Sequence, residues 1–222
     1  MWNRGKVKPP ALEDLGQDVW SPRGIKILGT PIGDADFVRE HITKRLQCER
    51  ELWETIPNVP DLQCAYQILV QSAGPRCNHL LRTVPPSQIK EYAEAHDAGM
   101  RGALSAILGC NIEEQEPARS IATLPARSGG LGVRSAARTS PAAFWASWAD
   151  SLPMLEERSP AVVARPLQEL EKGNSSENPL ARELSTVTRK LRTDGFHCLP
   201  SWSELQSGMR PEVVGPIQSE AG

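Results

Sequence analysis

The sequence predicts a mostly α-helical fold: an irregular antiparallel helical bundle with one short N-terminal β-strand or hairpin remnant and disordered termini. Three observations lead there. Apolar residues recur at helical spacing through most of the chain, most clearly from Ile89 to Leu108. The spacers between these stretches are short, which favours antiparallel neighbours. The 19 prolines and 17 glycines among 222 residues exceed an ordinary globular share, so the helices are expected to be interrupted often.

Residues 1–22 hold few periodic apolar positions and three prolines, and read as irregular. "GIKILGTPIG", Gly24 to Gly33, places Ile25, Ile27 and Leu28 between glycines. It reads as one strand of about four residues ending in a Gly-Thr-Pro turn. A lone strand cannot satisfy its own backbone groups, so a partner is expected from residues 1–8 or from outside this chain. Asp34 or Asp36 then caps a helix whose Val38, Ile42, Leu46 and Trp53 share a face, with Phe37 and Leu52 beside it. Its opposite face, Arg39, Glu40, Lys44, Arg45, Glu49 and Arg50, reads as solvated. A second helix starts after Asp61, with Leu62, Ala65, Tyr66, Leu69, Val70 and Ala73 as its stripe. Gly74-Pro75 breaks or kinks it, and a short helical piece from Arg76 to Thr83 stops at Pro85-Pro86.

Ser87 is expected to cap the clearest helix. Ile89, Tyr92, Ala93, His96, Met100, Ala103, Leu104, Ile107 and Leu108 form its stripe, and Gly109 is a natural stop. Another helix covers about Glu114 to Thr123. Ser140-Pro141 then offers a cap followed by proline at the first helical position, opening "AAFWASWADSL" to about Leu152. After Pro153 the pattern weakens. Residues 160–171 and 178–193 look amphipathic and helical, joined by the linker "EKGNSSEN"; "SWSELQSG" adds one short helix, and 209–222 look frayed.

Composition limits the function. The net charge of −2 is not that of a strongly basic nucleic-acid binder, so any such role rests on local patches. The five cysteines are scattered, odd in number and without a CxxC pair, which argues for reduced thiols over a disulfide framework or a zinc site. The start "MWNRGKVKPP" is not a secretory signal, and no apolar run reaches the roughly 18 residues that span a bilayer. A soluble intracellular protein is expected, with neither cytoplasm nor nucleus favoured.

The candidate chemical motifs mostly reduce to structure. Asp34 and Asp36 form a DxD, which can hold magnesium, but they stand where aspartate caps a helix. His41, His79, His96 and His197 have no GxSxG or HExxH context, and His96 lies on an apolar stripe as a core histidine would. "LPARSGGLGVRSAART", Leu124 to Thr139, lacks the Lys-Ser/Thr of a Walker A loop, fails GxGxxG, and follows a helix instead of a strand. It reads as a helix-to-helix reversal.

The charge map carries more. Residues 118–149 hold no acid but include Arg119, Arg127, Arg134 and Arg138. Residues 62–90 hold no acid but include Arg76, His79, Arg82 and Lys90. Two such tracts suggest one positive face that contacts phosphates without reading sequence. Its candidates are Arg76, Arg82, Arg127, Arg134 and Arg138. Trp145 and Trp148 read as core more readily than as base-stacking platforms. An exposed apolar face, for example around them, would instead signal a helical protein–protein interaction module with no nucleic-acid role.

Five stretches together add a resemblance: "WNRGKVKPP", "GIKILGTPIG", "RCNHLLRTVPP", "AHDAGMRGALSAILG" and "LPARSGGLGVRSAARTSPAAFWASWADSL". In order and spacing they resemble the region just downstream of the polymerase palm in reverse transcriptases of non-LTR (LINE-like) retrotransposons. The resemblance implies a palm-end or primer-grip-like remnant over 1–33, with the grip turn at Leu28 and Gly29. It implies a helical thumb-like domain over 34–155 that grips an RNA template or RNA–DNA duplex. It also implies that fingers and palm segments of a parent polyprotein are missing. Residues 156–222 match nothing in the family and are expected to form a weakly ordered helical tail. The family's magnesium-binding aspartates lie in a Tyr/Phe-x-Asp-Asp strand, and this chain has no Asp-Asp. The expectation is therefore a catalytically incomplete fragment with no catalytic residue, no metal and no cofactor of its own, magnesium belonging only to the complete parent enzyme.

Overall fold

The strand expected at Ile25 finds its partner in the very next residues. The computed structural model describes residues 21–112, 116–173 and 176–209. In it, β1 (Gly24–Ile27) pairs antiparallel with β2 (Thr30–Gly33), Ile25 opposite Ile32 and Ile27 opposite Thr30. The expected Gly-Thr-Pro turn is corrected to Leu28-Gly29, whose φ values of 49° and 89° are both positive. That is the signature of a two-residue hairpin turn whose twist matches its strands, and Gly29 adopts it without steric cost. Pro31 is tolerated because both strands are edges. The expected irregular stretch lies outside the described residues up to position 20, and so does the frayed end from 210 onward. So do 113–115, where the fourth predicted helix begins, and 174–175 in the linker.

The helices follow their caps where the caps are local. Asp34 accepts from the Phe37 N–H at 2.8 Å and opens α1 (Ala35–Thr55). Asp61 accepts from the Cys64 N–H at 2.7 Å and opens α2 (Leu62–Ile68). Gly74-Pro75 does not sever the helical path. The chain widens into a π turn over Leu69–Ala73, tightens into a 3-10 turn over Gly74–Cys77 and runs into α3 (Asn78–Thr83). Then come α4 (Pro86–Leu108), ended by Gly109 at φ 66°, and α5 (Glu116–Thr123). The rest is α6 (Ala136–Arg158), α7 (Pro160–Lys172), α8 (Pro179–Thr193) and α9 (Trp202–Gln206), the last opened by a Ser201–Glu204 capping box.

Several expected boundaries and faces are corrected. Ser87 does not cap α4: Pro85 holds the cap position, and the Ser87 N–H donates to Glu183 of α8 at 2.8 Å. α6 does not end at Leu152 but passes through Pro153 to Arg158. Proline costs about 3 kcal/mol in a helix interior, a penalty that packing of flanking residues can offset; Leu152 here is fully buried. Leu62 and Leu108, placed on apolar stripes, are exposed.

α1 packs on α4, and α3 and α4 both pack on α6. The far part of α6 packs on α7, α8 and α9. The core is accordingly in three patches. One joins α1, α3 and α4 to the start of α6 through Val38, Leu81, Ile89 and Ala143. A second lies under Trp53, Leu69, Met100 and Leu104. The third joins α6 to the C-terminal helices through Trp145, Leu152, Leu167, Leu184 and Leu191. α6 runs straight through position 155. Trp145 sets this third patch: its ring lies 5.5 Å from that of Trp202, and its indole N–H donates to Thr188 at 3.1 Å. Trp145→Ala is therefore expected to cost about 3–5 kcal/mol in urea unfolding, and a loss below about 1 kcal/mol would contradict this packing.

Candidate nucleic-acid interface

The glycine-arginine stretch is the reversal the sequence suggests. After α5 the chain folds back on itself: the Gly132 N–H donates to the Leu124 carbonyl at 2.8 Å, and the Val133 N–H to that of Ala122 at 3.0 Å. Gly130 permits it, because a Cβ there would collide with the Leu124 carbonyl. The Tyr66 hydroxyl donates to the Leu131 carbonyl at 2.6 Å and pins the loop to α2.

The loop leads into α6 earlier than the Ser140-Pro141 pair implies, since Ala136 and not Pro141 is the first helical residue. Ser135 is the cap, accepting from the Arg138 N–H at 3.2 Å. Asp97 of α4 does the rest. Its carboxylate accepts from the Ala136 N–H and the Ser135 hydroxyl, both at 2.6 Å, and from the Ala137 N–H at 3.2 Å. A buried carboxylate from another helix thus satisfies the first turn of α6 and complements its dipole. Ser140 is buried within the helix.

This arrangement brings the two acid-free tracts together. A groove of about 710 Å³ lies between α2 with its π turn and the α5–α6 loop. One side presents Tyr66, Gln67, Gln71 and Asn78; the other presents Arg127 and Arg134; half-buried Val70 and Leu131 supply apolar surface, with Met100 and Val133 buried behind it. No lining residue is acidic.

The five candidate arginines divide around it. Arg127 and Arg134 are exposed and line the groove. Arg76 is exposed in the 3-10 turn beside Pro75, a lining residue, and its carbonyl accepts from the Arg45 guanidinium at 3.2 Å. Arg138 is exposed in the first turn of α6 but does not line the groove. Arg82 lies 3.4 Å from Asp150 of α6, so its charge has a partner just past the acid-free tract. Leu28 and Gly29 are not in the groove. They stand at the hairpin tip, where Leu28 is 93% exposed and His79 hydrogen-bonds Thr30 at 3.1 Å.

The other candidates are structural. Asp34 caps α1, and Asp36 pairs with Arg39 at 3.0 Å, so the DxD does not form a paired carboxylate site. Among the described residues no group of three His, Cys, Asp or Glu side chains stands close enough to hold a metal ion. All five cysteines are free thiols, and Cys77 alone is buried. Trp145 is buried and Trp148 half-buried against the third core patch. No described helix is long and apolar enough to cross a membrane.

One polar cluster escapes the sequence reading. Glu49, placed on the solvated face of α1, is 1% exposed. Its carboxylate accepts from the Tyr92 hydroxyl at 2.7 Å and from Arg45 Nε at 3.0 Å, and lies 2.9 Å from His96 Nδ1. Burial opposes a charge on His96, but hydrogen bonds with Cys77 and Glu49 outweigh it and push its pKa up to about 10. Burial would raise the Glu49 carboxyl, yet His96, Tyr92 and Arg45 together hold it below its usual range. A signal exists: Glu49 lies seven residues after Ile42 and four before Trp53, on the buried side of α1.

No protein-family model, no curated protein and no solved structure matches the chain.

The buried pair makes stability depend on pH with a definite sign. A raised histidine pKa stabilises fully below its ordinary 6.5 and loses that contribution as pH rises toward about 10. A lowered glutamate pKa stabilises above its ordinary 4.5 and loses that contribution as pH falls. Unfolding free energy is thus expected to be highest between about pH 5 and 6.5 and to decline toward pH 10. Glu49→Gln is expected to cost about 3–5 kcal/mol and to flatten the alkaline decline; urea titrations across pH check both.

Proposed function

We propose that the chain is a thumb-like portion of a LINE-like reverse transcriptase that holds nucleic acid by its phosphate backbone and performs no polymerisation itself. One observation carries the reading. The two acid-free tracts, separate in sequence, line a single groove that contains Arg127, Arg134 and no carboxylate. Chance mixing of 27 acidic residues into a chain of 222 would ordinarily put a counter-charge there. The resemblance of residues 2–155 to the post-palm region supplies the context, with RNA or an RNA–DNA duplex as the ligand class.

The chemistry follows from the residues present. Guanidinium groups contact phosphate oxygens and release counterions, so the binding is weak, sequence-tolerant and sensitive to salt. Among the described residues no acidic side chain pairs with Arg76, Arg127, Arg134 or Arg138, so their charge is available. Metal-assisted phosphoryl transfer needs carboxylates that hold magnesium in pairs. Asp34 and Asp36 are spent on a helix cap and an ion pair, so that pair does not offer a magnesium site, and no catalytic step is assigned to the chain.

The protein-interaction alternative calls for an open apolar face, for example at Trp145 and Trp148. Trp145 is in the core and Trp148 is half-buried against it, so that pair does not supply one.

Filter binding of RNA and of an RNA–DNA duplex over a salt series tests the proposal. Affinity is expected to fall with salt, and Arg127→Ala/Arg134→Ala is expected to reduce the log–log slope by about 1.4 to 1.8. Binding that ignores salt, or none at low salt, would contradict it.

A further inference from the structure

We infer that the ligand of the groove is an unpaired strand of RNA, held at its phosphates by Arg127 and Arg134 and hydrogen-bonded at its base edges by Gln67 and Gln71. This rests on the backbone-binding reading above and adds to it the form of the ligand.

The first ground is size. A volume of about 710 Å³ lies in the roughly 300–1,000 Å³ range of sites that enclose one small ligand. It admits about one or two nucleotides with their bases inside. A duplex keeps its bases stacked within itself and offers such a groove only its outer backbone.

The second ground is what lines it. A site for backbone alone needs only cations and backbone amides. This one also presents half-buried Val70 and Leu131 as apolar surface against which a base face can lie. Gln67 and Gln71 stand four residues apart on one face of the α2–π-turn segment, exposed and lining the groove. No described residue hydrogen-bonds either side-chain amide. A free carboxamide pairs its donor and acceptor with the matching pair on the open edge of an unpaired base, the ring nitrogen and amino group of adenine and of cytosine alike. No acidic residue is present to repel the strand.

The third ground is rigidity. Tyr66 is tied to the Leu131 carbonyl across the groove at 2.6 Å, and Gly130 packs against Leu124, so the loop carrying both arginines is fixed against α2. The backbone segments that carry the arginines and the amides are therefore fixed relative to each other before ligand arrives.

Fluorescence anisotropy at low salt with labelled oligoadenylate and oligocytidylate RNA, each single-stranded and annealed to complementary DNA, decides the matter. The single strand of either base is expected to bind roughly tenfold more tightly than its hybrid. Gln67→Leu/Gln71→Leu, at exposed positions, is expected to weaken single-strand binding at least about fivefold while keeping the wild-type salt slope and helical circular dichroism. Equal or tighter binding of the hybrids overturns the unpaired-strand inference and leaves backbone binding standing. A variant that binds the single strands as tightly as wild type overturns the role of the amides. Absence of binding to every probe at low salt overturns backbone binding and this inference together.

Discussion

A carboxylate kept from water must be compensated where it sits, and Glu49 imposes that condition on the centre of this molecule. Leaving it unpaired in the interior would cost several kcal/mol. Tyr92 and His96 on α4, and Arg45 one turn away on α1, supply the donors. Those partners fix the register of α1 against α4, because a slip along either helix would strand the charge. The edge of Trp53 against the His96 ring, with centroids 5.4 Å apart, closes the same layer.

From α4 the constraint passes onward. Asp97, next to His96, faces the other way and receives the first turn of α6. The pair His96-Asp97 thus points one residue at α1 and the other at α6, as the roughly 100° between successive helical positions allows. With the start of α6 held by Asp97, the loop before it has fixed ends, and Tyr66 pins its middle. The groove between α2 and that loop exists because of these anchors. Its arginines meet the polar face of α2 because these hydrogen-bonded junctions hold the loop in place.

Much of this is legible in the sequence. The hairpin region, the caps Asp34 and Asp61, the stop at Gly109, the two amphipathic C-terminal helices and the Ser201 cap are local signals, written within a few residues of where they act. The acid-free tracts are visible as composition. What fails is whatever depends on a distant partner. Ser140-Pro141 reads as a helix start because Asp97, 38 residues before Ser135, cannot be seen beside it. Pro153 reads as a stop because the burial of Leu152 among α7, α8 and α9 is not a property of its neighbours in sequence. Arg82 reads as a phosphate contact because Asp150 lies 68 residues away.

The sequence by itself determined that the chain is helical, where most helices begin and end, and that two long stretches carry cations without acids. These follow from backbone propensity, capping and patterning, which act over one or two turns. Only the tertiary structure decided that Glu49 is buried, that Asp97 is a cap and not a surface charge, and that the two tracts face each other across one groove. Burial and electrostatic pairing are set by which helix lies against which, and that is fixed by contacts between residues tens of positions apart.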